Sequence, residues 1–501
     1  MSFLSLPSEI IDAIIDLSLP LGIEGLSLVS KAIHGRAKSQ IERHNVLKRQ
    51  WRHVHNYGTG RLDNTLGILE AISRDPMIAE YIETLDLWDP RGIEEEDADL
   101  LDFRKDPDAM ERVKSLVTTS PFLKDTDVDT EAWWTRMMEE EEVRADEDNT
   151  QISCTTIALL GLLPNLKSLR LDPGWQNFAP EAPEYHLPLS GLAAIVNRAT
   201  QAGDSRPRPL GKLKTILPFM SSGYEEKAAL QSVQPFLELS SVTELYLVSA
   251  VAVDDGYTGY PFTWSTPTIA PFVNRIELVS CCIDSEGIGE LVRHTPSLAV
   301  FRYSHETKWH GCEHDWNVGL FVEALARYCG NTLLELAITI DELSGDIING
   351  VSSLLSFRRL QRLEVDVQVF CGPPVESGQR LGLDSILPEG EQPWEHGDIP
   401  CIGSMLPDTI VEVQINTDFP VPDEQALNSL LKNLRSQRLE RLHLMERCVI
   451  RQYQAESARV YAERAGATLE TFDLDIADPR LRKMMPTWKR DFEERVRRRQ
   501  S

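Results

Sequence analysis

The feature that most constrains the fold of this chain is a short motif that recurs along most of its length. The motif follows the pattern apolar-x-x-apolar-x-apolar, which is typical of a strand that buries alternate side chains. Ten copies lie at Ile82/Leu85/Leu87, Leu166/Leu169/Leu171, Val242/Leu245/Leu247, Val273/Ile276/Leu278, Leu298/Phe301/Tyr303, Leu333/Leu336/Ile338, Leu360/Leu363/Val365, Ile410/Val413/Ile415, Leu439/Leu442/Leu444 and Leu469/Phe472/Leu474. A weaker copy begins at Leu213/Ile216.

Several copies follow one another at similar separations: from 242 to 273 is 31 residues, from 273 to 298 is 25, and from 410 to 439 is 29. The motif and its period resemble those of leucine-rich repeats, which run roughly 20–29 residues and lengthen with insertions. Between the motifs, apolar residues recur at helical spacing in the segments 318–328, 347–355 and 427–434. A strand-then-helix unit cannot bury its own apolar faces, so such units stack on their neighbours.

We therefore expect an α/β chain whose body is an irregular, leucine-rich-repeat-like solenoid with parallel strands inside and helices outside. The alternative is an irregular α/β domain in which the leucines recur by coincidence.

The first fifty residues predict short helices with apolar faces. Leu6, Ile10, Ile14 and Leu17 lie three or four residues apart, which places them on one face of a helix that should end near Pro20. Further helical segments are predicted at 26–33 and 41–51. Short helices bury little surface alone, so their apolar faces need a partner, which is either the rest of the chain or a second protein.

Two strings in this region resemble an F-box. An F-box begins with Leu-Pro, an acidic residue and an aliphatic pair, here Leu6-Pro7, Glu9 and Ile10-Ile11, and it continues into the string Leu26-Ser27-Leu28-Val29-Ser30-Lys31. The resemblance implies that a Skp-type adaptor subunit binds the chain at Leu6, Pro7, Ile10, Ile14, Leu26, Val29 and Ile33. The alternative is an ordinary N-terminal helical hairpin that packs on its own domain.

The resemblance also implies a function without chemistry of its own. The chain would be the substrate-recognition adaptor of a Skp–Cullin–F-box ubiquitin ligase. Its F-box would bind the Skp-type adaptor and, through it, a cullin, while the repeat domain would hold an unknown substrate protein. The main alternative is a leucine-rich-repeat scaffold that joins no ligase. A hydrolase or transferase with an unrecognised site is a more distant third.

The repeat motif predicts which side chains would face a target. Side chains alternate along a strand, so the residue between the second and third apolar positions points away from the apolar core. These residues are Arg170, Tyr246, Glu277, Arg302, Glu364, Gln414, His443 and Asp473. Their mixed charges do not specify the target. We expect charge reversal at Arg302 and Glu364 to weaken target capture without lowering thermal stability.

The chain divides into four parts on these signals: an F-box at 1–45, a helical linker or solenoid cap at 46–80, the solenoid at 81–480 and a charged C-terminal tail at 481–501. An acidic insertion at 90–150 interrupts the solenoid, with partial helices expected at 109–117 and 131–144. It is either solvated or a docking loop for basic sequences anchored by Trp133 or Trp134. The basic tail is either an exposed helix end or a nuclear import signal.

Charge and composition narrow the partners and the compartment. A formal net charge of −27 opposes binding to nucleic acid and to anionic lipid. We see no apolar run long enough to span a bilayer and no secretory signal at the N-terminus, so we expect a cytoplasmic or nuclear protein that binds neither membrane nor nucleic acid. Eight cysteines in 501 residues do not make a disulfide framework, so we expect buried thiols.

Motifs for catalysis are missing from the sequence: we find no Gly-rich phosphate loop, no nucleophile elbow and no zincin helix. The best metal candidates are His305, His310, Cys312 and His314, whose residue types suit zinc but whose spacing is not that of a familiar finger. We expect a loop with packed aromatic side chains there, and neither a metal nor another cofactor.

Overall fold

A computed structural model describes residues 6–55, 65–88, 106–124, 128–143, 153–177, 183–201, 208–254, 260–266, 268–308, 315–417, 424–453, 456–472 and 485–500. The chain forms two compact units. Unit 1 comprises Met1–Asp172, Ala179–Leu213 and Arg499–Ser501, and unit 2 comprises Pro173–Phe178 and Lys214–Arg498.

Unit 1 is mainly helical and carries three short parallel strands. Its helices are α1 (Ser8–Leu17), α2 (Ile23–Ser27), α3 (Lys31–Arg36), α4 (Lys38–Trp51), α5 (Thr65–Arg74), α6 (Met77–Tyr81), α7 (Pro107–Thr118), α8 (Pro121–Lys124), α9 (Thr130–Val143), α10 (Cys154–Leu160) and α11 (Pro183–Thr200). Its strands are β1 (His53–His55), β2 (Thr84–Asp86) and β3 (Ser168–Arg170), with β2 between the other two.

Unit 2 is built on a long run of parallel strands. They are β4 (Thr215–Leu217), β5 (Ala228–Ala229), β6 (Glu244–Val248), β7 (Ala250–Ala252), β8 (Arg275–Ile283), β9 (Val300–Glu306), β10 (Glu335–Glu342), β11 (Arg362–Asp366), β12 (Glu412–Asn416), β13 (Arg447–Tyr453) and β14 (Thr468–Phe472). Nine of them pair in the order β4-β6-β8-β9-β10-β11-β12-β13-β14, while β7 pairs with β5 and β8.

The helices of unit 2 are α12 (Gln234–Leu237), α13 (Ser285–Arg293), α14 (Val318–Cys329), α15 (Ile402–Met405), α16 (Glu424–Leu431), α17 (Leu434–Glu440), α18 (Glu456–Ala465) and α19 (Thr487–Gln500). The apolar motif positions of the strands pack against such helices. Phe301 and Tyr303 of β9 lie with their ring centroids 6.2 Å and 4.8 Å from that of Phe321 on α14. The prediction of an α/β chain with parallel strands and surrounding helices is confirmed, and the run of strands stays open.

One predicted strand is misplaced. Leu439 lies in α17 and Leu444 in the turn that follows, and both side chains are exposed. The strand of this repeat is β13, and the apolar positions are filled by Met445, which lies just before it, and by Cys448 and Ile450 within it, all three buried. Methionine and cysteine fit the motif less visibly than leucine, so the nearby leucines drew the prediction six residues too early.

The segment 347–355 was predicted to be helical and is irregular. Its backbone bonds to the next repeat instead: the Val351 N–H donates to the Val369 carbonyl at 2.9 Å, and the Leu354 N–H donates to the Met405 carbonyl at 2.9 Å. A Cβ atom on Gly350 would lie 2.8 Å from the carbonyl oxygen of Gly372. Close approach of two backbone segments, which glycine permits, replaces the helix here.

The predicted segment 26–33 divides at Ser30, whose hydroxyl caps α3 by accepting a hydrogen bond from the Ile33 N–H at 3.2 Å. The helices expected at 109–117 and 131–144 are present as α7 and α9.

In the acidic insertion, the Trp133 ring is fully buried, edge-on to Phe122 at 6.0 Å and against Gly191. It is therefore part of the core of unit 1 and cannot be a docking anchor. The acidic run 94–97 lies outside the described residues.

In the described part of the chain, the cysteines are free thiols, and Cys281, Cys282 and Cys329 are buried as expected. No helix among the described residues is both long and apolar enough to cross a membrane.

Candidate functional site

The N-terminal helices enclose a small core of their own. Its buried members are Ile11, Ile15, Ile23, Ile33 and Ala37, and Leu6, Leu19, Leu26 and Ile41 pack half-buried against them. Full burial of an aliphatic side chain of this size stabilises the fold by about 1.5–3 kcal/mol. The three helices α1, α2 and α3 therefore form a packed module without using all of their apolar residues.

The apolar residues left over are exposed, and we call them the apolar set. They are Ile10, Leu17, Leu21, Leu28 and Val29. Ile10 and Leu17 lie seven residues apart on one face of α1, with exposures of 48% and 83%. Leu28 and Val29 directly follow α2 and are 83% and 64% exposed. Single exposed leucines are common, whereas five large exposed aliphatic side chains within twenty residues of sequence make this module a candidate interaction site.

The residues predicted to bind a Skp-type adaptor divide into three groups. Pro7, Ile10 and Val29 are exposed, whereas Leu6, Ile14 and Leu26 are half-buried. Ile33 is 1% exposed and faces the core of the module, since it packs with Ile11 and Ile15. Ile33 thus supports the surface instead of belonging to it, which departs from the prediction.

The exposed residues that the prediction missed are Leu17, Leu21 and Leu28. The sequence held a signal for the first, because Leu17 follows Ile10 at a helical spacing of seven.

Polar contacts fix the orientation of this module. The Arg36 guanidinium binds Asp12 through both carboxylate oxygens at 2.6 Å and 2.8 Å, which ties α3 to α1 and lowers the pKa of Asp12. In α4, the buried His44 ring is hydrogen-bonded to the Tyr81 hydroxyl of α6 at 2.9 Å. Arg43 pairs with Asp75 at 2.8 Å. The module is thus anchored through α4 to the rest of unit 1, while the apolar set remains in solvent.

Most of the predicted target-facing residues of unit 2 lie side by side on the strands, in what we call the inner row. The predicted Tyr246, Glu277, Arg302, Glu364 and Gln414, together with Ala337, which was not predicted, are paired from strand to strand along β6, β8, β9, β10, β11 and β12. The repeat motif therefore predicted the strand register correctly over these repeats.

The remaining three predicted residues do not join the row. Arg170 lies on β3 of unit 1, where it is buried beside Asp86 and over the Trp88 ring. His443 is exposed in the turn before β13, so its assignment to a strand was wrong. Asp473 lies outside the described residues.

The inner row is covered by α19. Trp488, Phe492 and Val496 of this helix are buried against Leu217, Tyr246, Val279 and Ala337 of the strands. The Phe492 ring lies 5.9 Å from that of Tyr246. The three helix residues recur every four positions, which puts them on one helical face. The expected C-terminal helix is present as α19, but it is not exposed all round, because this face packs on the strands.

Charged groups of the row pair with α19 and with one another. Arg302, 11% exposed at its side chain, pairs with Glu335 at 2.9 Å and with Asp491 of α19 at 3.4 Å. Burial lowers the pKa of Arg302, but the surrounding carboxylates outweigh burial and raise it above its ordinary value. Glu277, fully buried, pairs with Arg275 at 2.6 Å and with Arg495 of α19 at 3.4 Å.

Glu364 receives the N-terminus of α19. Its carboxylate accepts hydrogen bonds from the Thr487 N–H at 2.7 Å and the Trp488 N–H at 3.1 Å, which suits the positive end of a helix. Burial raises the pKa of Glu364, because it outweighs these hydrogen bonds. The Gln414 amide donates to the Thr487 hydroxyl at 2.8 Å. Two neighbours in the row thus bind the first residues of the helix.

Asp341, just beyond the row on β10, collects three donors. The Ser280 and Ser304 hydroxyls each donate to it at 2.7 Å, and Lys489 of α19 forms an ion pair with it. Burial raises the pKa of Asp341, but Lys489 and the two hydroxyls outweigh burial and lower it overall. The serines and the carboxylate are thereby joined in one structural network under α19.

These contacts revise the expectation for Arg302 and Glu364. Both groups are engaged inside unit 2, so a charge reversal at either one disturbs internal packing as well as any surface. The sequence signal that was missed is the spacing of Trp488, Phe492 and Val496, an apolar stripe at intervals of four in an otherwise charged segment.

The metal candidates do not assemble within the described residues, where no group of three or more His, Cys, Asp or Glu side chains is placed to hold an ion. His305 is buried on β9, stacked on the Trp316 ring at 4.3 Å and hydrogen-bonded to the Tyr303 hydroxyl at 3.0 Å. The other three candidates, His310, Cys312 and His314, lie outside the described residues.

Comparison with known proteins leaves the site to be interpreted from its own geometry. No protein-family model matches this chain, and none of the curated proteins matches it.

Proposed function

We propose that this chain is a substrate-recognition adaptor of a Skp–Cullin–F-box ubiquitin ligase, with residues 1–45 as the F-box and a leucine-rich-repeat-like target domain at 81–480. The observation that carries the proposal is the apolar set. It lies on a module whose core is already complete, so its exposure is not a deficit of folding. Covering each of these side chains with a partner would contribute up to about 1.5–3 kcal/mol.

A helical module with a packed core and an apolar outer surface suits docking between helices of another subunit. Of the apolar set, Leu28 and Val29 belong to the Leu26–Lys31 string of the F-box resemblance, and Ile10 belongs to the aliphatic pair that follows its Leu6-Pro7 string. The partner proposed is therefore a Skp-type adaptor, which would link the chain to a cullin. In that complex the chain performs no chemistry: it raises the local concentration of a bound target beside the ubiquitin-charged enzyme.

The test is capture of the full-length chain by a purified Skp-type adaptor. The variant Ile10→Asp/Val29→Asp places two charges in the apolar set without touching the buried core, so we expect capture to fall by at least about a hundredfold, since a carboxylate buried without a partner costs several kcal/mol. The matched control is Phe272→Asp, which changes an exposed apolar residue of unit 2 and should leave capture unchanged.

Equal capture of the wild type and the double variant would contradict the proposal. A wild-type chain that the adaptor does not bind at all would favour the alternative, a scaffold in which α1–α3 only complete unit 1.

A further inference from the structure

The two faces of the unit 2 strands differ in chemistry. The motif positions on one face are apolar, as at Ile276, Phe301 and Leu336, and they are buried. The inner row on the other face combines the apolar Tyr246 and Ala337 with the charged Glu277, Arg302 and Glu364. If the apolar face lost its helices, it would expose a continuous hydrophobic surface, and exposing apolar surface to water is energetically unfavourable. If the inner row lost α19, much of what it exposed would be charge that water solvates.

The attachment of α19 combines a short apolar stripe with ion pairs. Three apolar residues of the helix are buried, while Lys489, Asp491 and Arg495 pair with charged groups of the strands. Desolvation offsets most of the Coulomb gain of such pairs, so they contribute more to selectivity than to net affinity. The inner row is therefore selective for a helix with this arrangement of apolar and charged side chains, although only three apolar residues of the helix are buried against it.

We propose that the inner row is a groove for a basic amphipathic helix, that α19 occupies it in cis, and that a target protein binds by presenting a helix of the same pattern and displacing α19. The required pattern is read from α19. It has large apolar residues at positions i, i+4 and i+8, a cation beside the first for Asp341, a cation beside the third for Glu277, and an N-terminus directed at Glu364. The target in question is the substrate of the proposed receptor, and to that extent the inference rests on the proposed function.

The first experiment uses a labelled peptide of residues 485–501 as the probe and the full-length chain as the receptor. In Lys489→Glu/Arg495→Glu the two ion pairs with Asp341 and Glu277 are reversed, which favours the uncovered groove. The apparent affinity of an occupied groove is reduced by the fraction of molecules in which it is free, so we expect the variant to bind the peptide at least about tenfold more tightly than the wild type does.

The matched control carries the same change of charge on the solvent side of the helix. Arg497→Glu/Arg498→Glu alters two exposed arginines and should bind the peptide as weakly as the wild type. A peptide with the same composition, in which Trp488, Phe492 and Val496 are moved off the four-residue spacing, should not bind the variant. Equal peptide affinities of the wild type and of a folded Lys489→Glu/Arg495→Glu chain would overturn the proposal.

A second measurement needs no variant. Native-state hydrogen exchange of the wild type reports the opening free energy of each segment. We expect α19 amides to exchange through a local opening well below the global free energy of unfolding, whereas β9 and β10 amides exchange only near the global value. Equal protection of α19 and these strands would show that the helix is a fixed part of unit 2 and would overturn the proposal.

Neither measurement includes a Skp-type adaptor. A failure of the groove is therefore distinguishable from a failure of the F-box proposal, which the capture experiment tests alone.

Discussion

The apolar set on the N-terminal helices and the inner row of unit 2 are two surfaces that the sequence predicts for binding, and the structure treats them differently. The first is open: its residues face solvent over a core that is already complete. The second is covered by α19, which packs Trp488, Phe492 and Val496 on it and pairs its charges. The difference teaches that a correctly predicted strand register does not by itself make a surface available to a partner.

The cause of the difference is visible in the chemistry of the two surfaces. The apolar set consists of aliphatic side chains only. The inner row and the neighbouring Asp341 offer carboxylates that match the Lys489 and Arg495 cations of α19 and its N-terminal N–H groups. A segment of the same chain therefore covers the surface whose charges it complements.

The largest effect that sharpens this comparison is expected from Trp488→Ala. Removing a fully buried tryptophan costs about 3–5 kcal/mol, part of it from the cavity left behind, and the loss should appear in urea unfolding of the full-length chain. Because the loss cannot exceed the free energy that holds α19 on the strands, adding Phe492→Ala should increase it by much less than the single Phe492→Ala effect. Additive losses would show that α19 does not detach as a unit.

Arg302→Met removes a nearly buried cation and leaves Glu277 and Glu335 without one of their partners. We expect a loss of about 3 kcal/mol in the free energy of unfolding, since removing one partner of a buried ion pair leaves the other charge buried without its counter-charge. Guanidinium unfolding measures it. A loss below about 0.5 kcal/mol would mean that Arg302 is solvated and that the inner row is not closed.

Glu364→Gln tests the hydrogen bonds between the Glu364 carboxylate and the N-terminus of α19. The variant keeps the shape but replaces one acceptor oxygen with an NH2 donor, so either the Thr487 or the Trp488 N–H group loses its acceptor, for which we expect a loss of about 1–2 kcal/mol. The removal of the charge does not add to this loss, because burial already disfavours the charged form of Glu364. The hydrogen-exchange rates of the first α19 amides should rise before those of the strands, and unchanged rates would contradict the assignment.

The pH dependence of Asp341→Asn checks the network under α19. The folded pKa of Asp341 is lowered from its ordinary value of 3.8, so the charged form is favoured in the folded state. Its contribution to stability is then complete above the ordinary pKa and is lost as the pH falls through the lower folded value. We expect the stability difference between the wild type and Asp341→Asn to stay constant from about pH 5 to 8 and to shrink below about pH 3.8. A difference that grows on acidification would contradict the ion pair.

The smallest effect is expected at the open surface. Ile10→Asp changes an exposed residue, so the free energy of unfolding should stay within about 0.5 kcal/mol of the wild type. Thermal and urea unfolding provide the measurement. A loss of more than about 2 kcal/mol would show that Ile10 is packed, and it would contradict the claim that the apolar set is an open surface.

Much of the fold can be predicted from the sequence, because the apolar positions of the repeat motif are the positions that the strands bury. Positions such as Ile276, Phe301 and Leu336 are apolar because they are buried, and their period of two fixes the register of the inner row. The pattern misplaced a strand where cysteine instead of leucine fills a buried motif position, as Cys448 does on β13. It also predicted a helix at 347–355, where the backbone of Gly350 instead lies close to that of Gly372.

The candidate sites were harder to predict than the fold. Which aliphatic residue of α1 is buried, Ile11 or Ile10, depends on how the three N-terminal helices pack, and that is a tertiary property. The contact between α19 and the strands joins residues about 120 to 250 positions apart, such as Glu364 with Thr487 and Tyr246 with Phe492, and no local pattern encodes such a pairing. Only the four-residue apolar spacing in α19 hinted that the tail has a face to bury.

The most direct measurement of the central claim is a hydrogen-exchange comparison of the full-length chain alone and with a Skp-type adaptor. We predict that amides of α1, α2 and α3 gain protection in the complex, while those of β8 to β12 and of α19 do not change. If the N-terminal helices show the same exchange with and without a saturating amount of adaptor, the apolar set is not its docking surface, and the account is contradicted at its foundation.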